Sequence, residues 1–147
     1  MICCEYEGEK GANKAGHNRI CLHPRNNVIP IVKTATIYKI CPAALWREAL
    51  ERGAFFGAPV DLADGFIHFS SAGQVAETAA RHFAGQTELL LLYVNTAQLG
   101  TALKWEPSRG GALFPHLYGA LALTAVTKVE PLPLGPDGRH RFPALDA

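Results

Sequence analysis

Beyond Cys41 the chain has no cysteine. A disulfide framework spreads its bridges through a domain, so Cys3, Cys4, Cys21 and Cys41, all near the N-terminus, do not form one. Cys3, Cys4, His17, Cys21 and His23 are zinc-holding types. Their spacing matches no common finger or ribbon, because Cys3 and Cys4 are adjacent and Cys21 and His23 are only two apart. There is no C-x-x-C, which removes a thioredoxin-like start. No apolar run reaches the roughly 18 residues of a spanning helix. The first ten residues also lack the basic-then-apolar order of a signal peptide. A cytoplasmic protein that does not enter a membrane is the expectation. Charge bias is missing as well: 14 Lys and Arg stand against 13 Asp and Glu, a net charge of +1. That leaves no field for duplex nucleic acid, only room for a local basic pocket.

What remains is a chain of 147 residues, 48% hydrophobic, enough for one ordinary domain with a core. Residues 1 to about 27 are rich in Gly, Asn, Lys and Arg without a sustained apolar period, and residues 1–35 are expected to form a poorly ordered N-terminal extension. Within it Val28-Ile29-Pro30-Ile31-Val32 suits an edge strand, since Pro30 bars a central place. Residues 36–147 are expected to form one domain. Ile37-Tyr38-Lys39-Ile40 reads as a strand. Pro42 opens and Gly53 closes an amphipathic helix whose Leu45, Trp46, Ala49 and Leu50 face a core. Residues 54–65 read as a loop with turns, Asp61 and Asp64 included. Phe66 to Ser70 is a short strand, and Ser71-x-x-Gln74 is a capping box for a helix running to about Ala84. Glu88 to Val94, with four consecutive leucines, suits a strand buried on both faces. Leu103 to Glu106 is a further strand, and Ala120 to Glu130 reads as a last long one. This order is an α+β pattern.

Two strings stand apart: Gly65-Phe66-Ile67-His68-Phe69-Ser70-Ser71 and Phe114-Pro115-His116-Leu117-Tyr118-Gly119. Each sets a histidine between aromatic residues with a hydroxyl two positions on. Strand alternation places Ile67 and Phe69 on the core and turns Phe66, His68 and Ser70 the other way. The helix start that follows offers free N–H groups to a phosphate or carboxylate, near Ser70 and Ser71. His68 can bond that anion or move a proton near neutral pH. His116 and Tyr118 share a face if extended, and Tyr118 offers a ring for stacking. Read together, the strings form two walls of one polar cleft. Trp105-Glu106 places an aromatic beside a carboxylate. Arg81 and His82 read as solvated helix positions. His68, His82 and His116 lack metal-ligand spacing, so no metal site is expected.

From Ile37 to Phe142 these residues resemble the bacterial family catalogued as domain of unknown function 952. The anchors are Ile37-Tyr38-Lys39-Ile40, Trp46, Ala49, Gly53, Asp64 to Ser70, Gln74, Trp105-Glu106 and Phe114 to Gly119. That family is distantly similar to the ADP-ribosyltransferase superfamily, including RNA 2′-phosphotransferases and poly-ADP-ribose polymerases, which hold NAD between two small sheets. The resemblance implies small mixed or antiparallel split sheets with two main helices. It implies NAD or another nucleotide as ligand, and ADP-ribosyl or phosphate transfer as the reaction. Lys39 stands where many members carry His, a departure from standard NAD binding. In this scheme the helix start after Ser70 holds a pyrophosphate, aided by Lys39 and His68, and Tyr118 stacks on a ring. Glu106 or His116 steadies an oxocarbenium-like ribose, and Ser70, Ser71, Gln74 and Trp105 are further candidate ligand-binding residues. The alternative is a non-catalytic small-ligand or interaction module using the same cleft.

Overall fold

The computed structural model describes residues 35–146. The candidate strand at Val28–Val32 and the Cys3, Cys4, His17, Cys21 and His23 set lie outside the described residues. Among the described residues no helix is long and apolar enough to cross a membrane.

β1 (Thr36–Pro42) leads directly into α1 (Ala43–Arg52). Pro42 stands just ahead of the first helical turn, where its missing N–H is not needed. Gly53, at φ +83°, ends the helix in the left-handed conformation and donates its N–H to the Ala49 carbonyl. β2 (Ala54–Phe55) and α2 (Pro59–Asp64) occupy the stretch that reads as a loop in the sequence. The α2 helix has a local cause. Pro59 presets the first helical turn, and Asp61 reaches back to accept the Ala58 N–H at 2.7 Å. The residue types that make turns also start helices.

β3 (Ile67–His68) is shorter than the string suggests, because the chain changes partners there. His68 pairs with one sheet, and Ser70 exchanges both backbone hydrogen bonds with Tyr38 in another, at 2.8 and 2.9 Å. α3 (Val75–His82) follows, then β4 (Leu89–Asn95), β5 (Leu103–Pro107), β6 (Leu113–Leu117), β7 (Leu121–Ala122) and β8 (Val126–Pro131). The run from Ala120 to Glu130 is not one strand. A single 3₁₀ turn at Leu123–Ala125 breaks it and carries the chain from one sheet to the next.

The result is an α+β fold with three small antiparallel sheets, ordered β1-β4-β8, β2-β7 and β3-β6-β5. The central strand β4 is buried on both faces, as its leucine run implies. Leu92 and Val94 join Ile37, Cys41, Trp46, Ile67 and Phe69 on one side. Leu89, Leu91 and Tyr93 join Tyr38, Ile40, Val75, Ala79 and Leu132 on the other. The first cluster seats the β3-β6-β5 sheet through Ile67, Phe69 and Leu117. That packing holds β3 and β6 against β1 and so positions the site. Burial of the thiol pushes Cys41 up to about 11, which leaves it a small inert core group.

Leu92 is fully buried at the centre of the first cluster. Leu92→Ala is expected to cost about 2–5 kcal/mol of stability. The check is a lower urea midpoint with an unchanged m-value.

Candidate active site

Asp61 is 2% exposed, and a carboxylate removed from water in that way must be fully partnered. Its Oδ2 lies 2.8 Å from Lys39 Nζ and accepts the Ala58 N–H. Its Oδ1 lies 3.0 Å from the same Nζ, accepts the His68 N–H at 3.0 Å and lies 2.7 Å from His68 Nδ1. Burial pushes the Asp61 carboxyl up. The His68 hydrogen bond and the Lys39 ammonium outweigh that and hold it at about 2. The Lys39 ammonium is pulled down by its own burial against the opposing charge of Asp61. Gly57 completes the seat. At φ +119° it favours glycine, and a Cβ there would fall 2.8 Å from Asp61 Cβ.

Asp61 therefore fixes His68 twice, by ring and by backbone. The other ring nitrogen, Nε2, lies 3.0 Å from Asp64 Oδ2, at the end of α2. Directly opposite on β6 stands His116, the register partner of His68. Its Nδ1 lies 2.8 Å from Glu106 Oε2 on β5, and Tyr118 donates its hydroxyl to the same carboxylate at 2.8 Å. Hydrogen bonds from His116 and then Tyr118 hold Glu106 below the usual carboxylate range, and that same bond holds the Tyr118 phenol up. Each histidine thus leans on a carboxylate through Nδ1. The two rings meet edge to face with centroids 5.4 Å apart. Phe66 stacks on His116 at 4.2 Å and touches His68 at 4.7 Å, so the rings are braced on one aromatic plate.

Both histidines line a cleft of about 470 Å³, walled by β1, α2, α3, the Ser108–Arg109 turn and β6. Lys39 and Ser70 also line it. They are not free for a ligand in the manner the sequence suggests. Lys39 is buried against Asp61, and Ser70 turns its hydroxyl to Thr78 Oγ1 at 3.0 Å. Glu106 and Tyr118 stand behind His116 rather than on the lining. Ser71 and Gln74 do not line the cleft. The Gln74 side chain accepts the Ser71 N–H and donates to the Leu113 carbonyl, which ties α3 to β6. Trp105 is 45% exposed on β5 and does not line it either. Among the described residues no group of three or more His, Cys, Asp or Glu is placed to hold a metal ion.

Sequence reasoning missed Asp61, the hub, together with Asp64, Phe66, His82 and Arg109. The signals for the acids were present. Pro59-x-Asp61 is a helix start, and Asp64 precedes His68 by four residues. His82 looks solvated in the sequence and is exposed, yet it lines the cleft beside Arg109.

The depressed Asp61 value sets a pH dependence. A carboxylate whose folded-state pKa lies below its unfolded value stabilises the fold above the unfolded value, and that contribution fades as pH falls through the folded one. Here the window runs from 3.8 down to about 2. On the order of 2 kcal/mol is expected to be lost across it, read as urea midpoints at stepped pH. Asp61→Asn, which leaves the Lys39 ammonium buried and unpaired, is expected to cost about 3–5 kcal/mol at neutral pH.

The chain is similar to protein CC0527 from Caulobacter crescentus. It is 52% identical to the crystal structure of that protein, with a TM-score of 0.70, covering 72% of this chain and 93% of that one. The solution NMR structure of CC0527 is 53% identical with a TM-score of 0.65, covering 71% and 90%. No curated protein matches the chain. A family model matches residues 40–129, which include α1, the Asp61–His68 seat and the His116 strand. The chain belongs to the family described as Protein of unknown function (DUF952).

Proposed function

We propose that the cleft binds a small phosphorylated or nucleotide ligand and that His68 and His116 act on it as a paired proton donor and acceptor. The observation that carries this reading is the cross-strand histidine pair, each ring oriented by a carboxylate on Nδ1 and both lining one cleft. A carboxylate behind each Nδ1 is the orientation general acid–base catalysis needs, and on His68 the ligand would have to displace the exposed Asp64 carboxylate from Nε2. At about 470 Å³ the cleft lies in the range of small-molecule sites.

The reaction best suited to such a pair is transfer of a phosphoryl group. An acceptor oxygen attacks phosphorus and passes its proton to one imidazole. The bond to the leaving oxygen breaks, and the other imidazole supplies the proton that oxygen takes up. ADP-ribosyl transfer, the reaction that the resemblance drawn from the sequence would imply, asks more of the site. It needs a carboxylate free to steady a cationic ribose, and Glu106 already accepts bonds from His116 and Tyr118. Asp61 is likewise enclosed. In this reading Glu106 and Asp61 are positioning residues. NAD remains a ligand to try, as one member of the nucleotide class. A second reading, a non-catalytic binding module, is favoured by one observation: Lys39 is neutralised by Asp61.

Calorimetric titration with NAD, ADP-ribose and an RNA end bearing a 2′-phosphate separates these. Binding of at least one is expected, and no heat from any at millimolar concentration removes the nucleotide reading. Turnover of the bound ligand that falls by about 100-fold or more in His68→Ala and in His116→Ala supports the acid–base pair. Binding without turnover in the unaltered protein supports the module instead.

A further inference from the structure

We infer that Arg109, with His82 beside it, is the anion-binding element of this cleft, and that the ligand meets it with a phosphate-like group. The inference rests on the proposed ligand class and names the part of the site that selects it.

The positive groups on the lining are not equivalent. Lys39 is held by Asp61 at 2.8 Å, and His68 lies between Asp61 and Asp64. Arg109 makes no ion pair among the described residues, although Arg52, Arg81 and Arg141 each do. Among the described residues Asp64 is the sole carboxylate lining the cleft, and His68 already faces it. Among the described residues, an anion entering the cleft therefore finds one arginine or lysine without a carboxylate partner, and that residue is Arg109.

Its setting suits the task. Arg109 rides on a closed turn in which the Ser108 N–H donates to the Ala112 carbonyl and the Gly111 N–H donates to the Ser108 carbonyl, each at 2.9 Å. Gly110 at φ +67° and Gly111 at φ +81° let the chain make that turn. The guanidinium lies 5.4 Å from the centroid of Phe114, which lines the same cleft. A planar fork held on an aromatic ring is well suited to two-point contact with phosphate oxygens. His82 lines the cleft from α3. Its pKa is lowered first by partial loss of water at the cleft wall and then by the neighbouring Arg109 and Arg81 guanidiniums. A bound anion would relieve that crowding and gain a second donor. The sequence points elsewhere, to Lys39 and the start of α3, and both are engaged within the fold.

Pyrophosphate and ADP-ribose serve as probes, titrated into the full chain at low and at moderate salt. Both are expected to bind, more weakly as salt rises. Arg109→Ala is expected to weaken both by about tenfold or more, and Arg109→Lys to recover part of the loss. Arg47, exposed on α1 and not on the lining, serves as the control, and Arg47→Ala is expected to change nothing. An unchanged thermal midpoint keeps the reading separate from misfolding. Equal effects of the two alanine variants, or no binding of either probe, would overturn the inference. Loss of binding in Arg109→Ala with no detectable turnover in the unaltered protein would leave the anion element standing and remove only the catalytic part of the proposed function.

Discussion

A single buried carboxylate organises this molecule. Asp61 is carried on a six-residue helix, yet it accepts hydrogen bonds from α2's own N-terminus, from Lys39 on β1 and from the backbone and ring of His68 on β3. It therefore ties elements of two different sheets together at one point. A buried ion pair of this kind adds little net stability, because desolvation offsets most of the attraction. Its contribution is geometric. With Lys39 neutralising it, Asp61 can remain charged in the interior and still hold an imidazole at 2.7 Å.

The second dyad repeats the device at the surface. Glu106 is half-buried, bonded by Tyr118 and placed diagonally from His116 across β5 and β6. The two histidines therefore differ in their surroundings. His68 has carboxylate oxygens at both ring nitrogens, while His116 has one among the described residues. Two like residues in unlike settings are what a reaction needs when one group must give a proton and the other must take one.

Much of this was legible in the residues, and the failures share a cause. Pro42 and Gly53 announce α1, and the leucine run announces a strand covered on both faces. The two His/hydroxyl strings announce a shared cleft, and β3 and β6 do lie side by side with His68 opposite His116. What no local pattern carries is partnership over distance. Lys39 looks like a free cation until Asp61, far along the chain, is placed against it. Glu106 looks like a free acid until β5 pairs with β6. The Ala120–Glu130 run looks continuous because apolar residues alone do not say where a chain changes sheet. Residue types were readable, and their engagement was not.

The central claim is that His68 and His116 work as one pair on one ligand. Nitrogen-15 spectra of the imidazole rings, recorded as ADP-ribose is added to the full chain, test it most directly. The account predicts that both rings shift together along one binding curve, while the Nδ1 signals keep the signature of a carboxylate partner. Shifts confined to one ring, or to neither while ligand binds elsewhere, would contradict it.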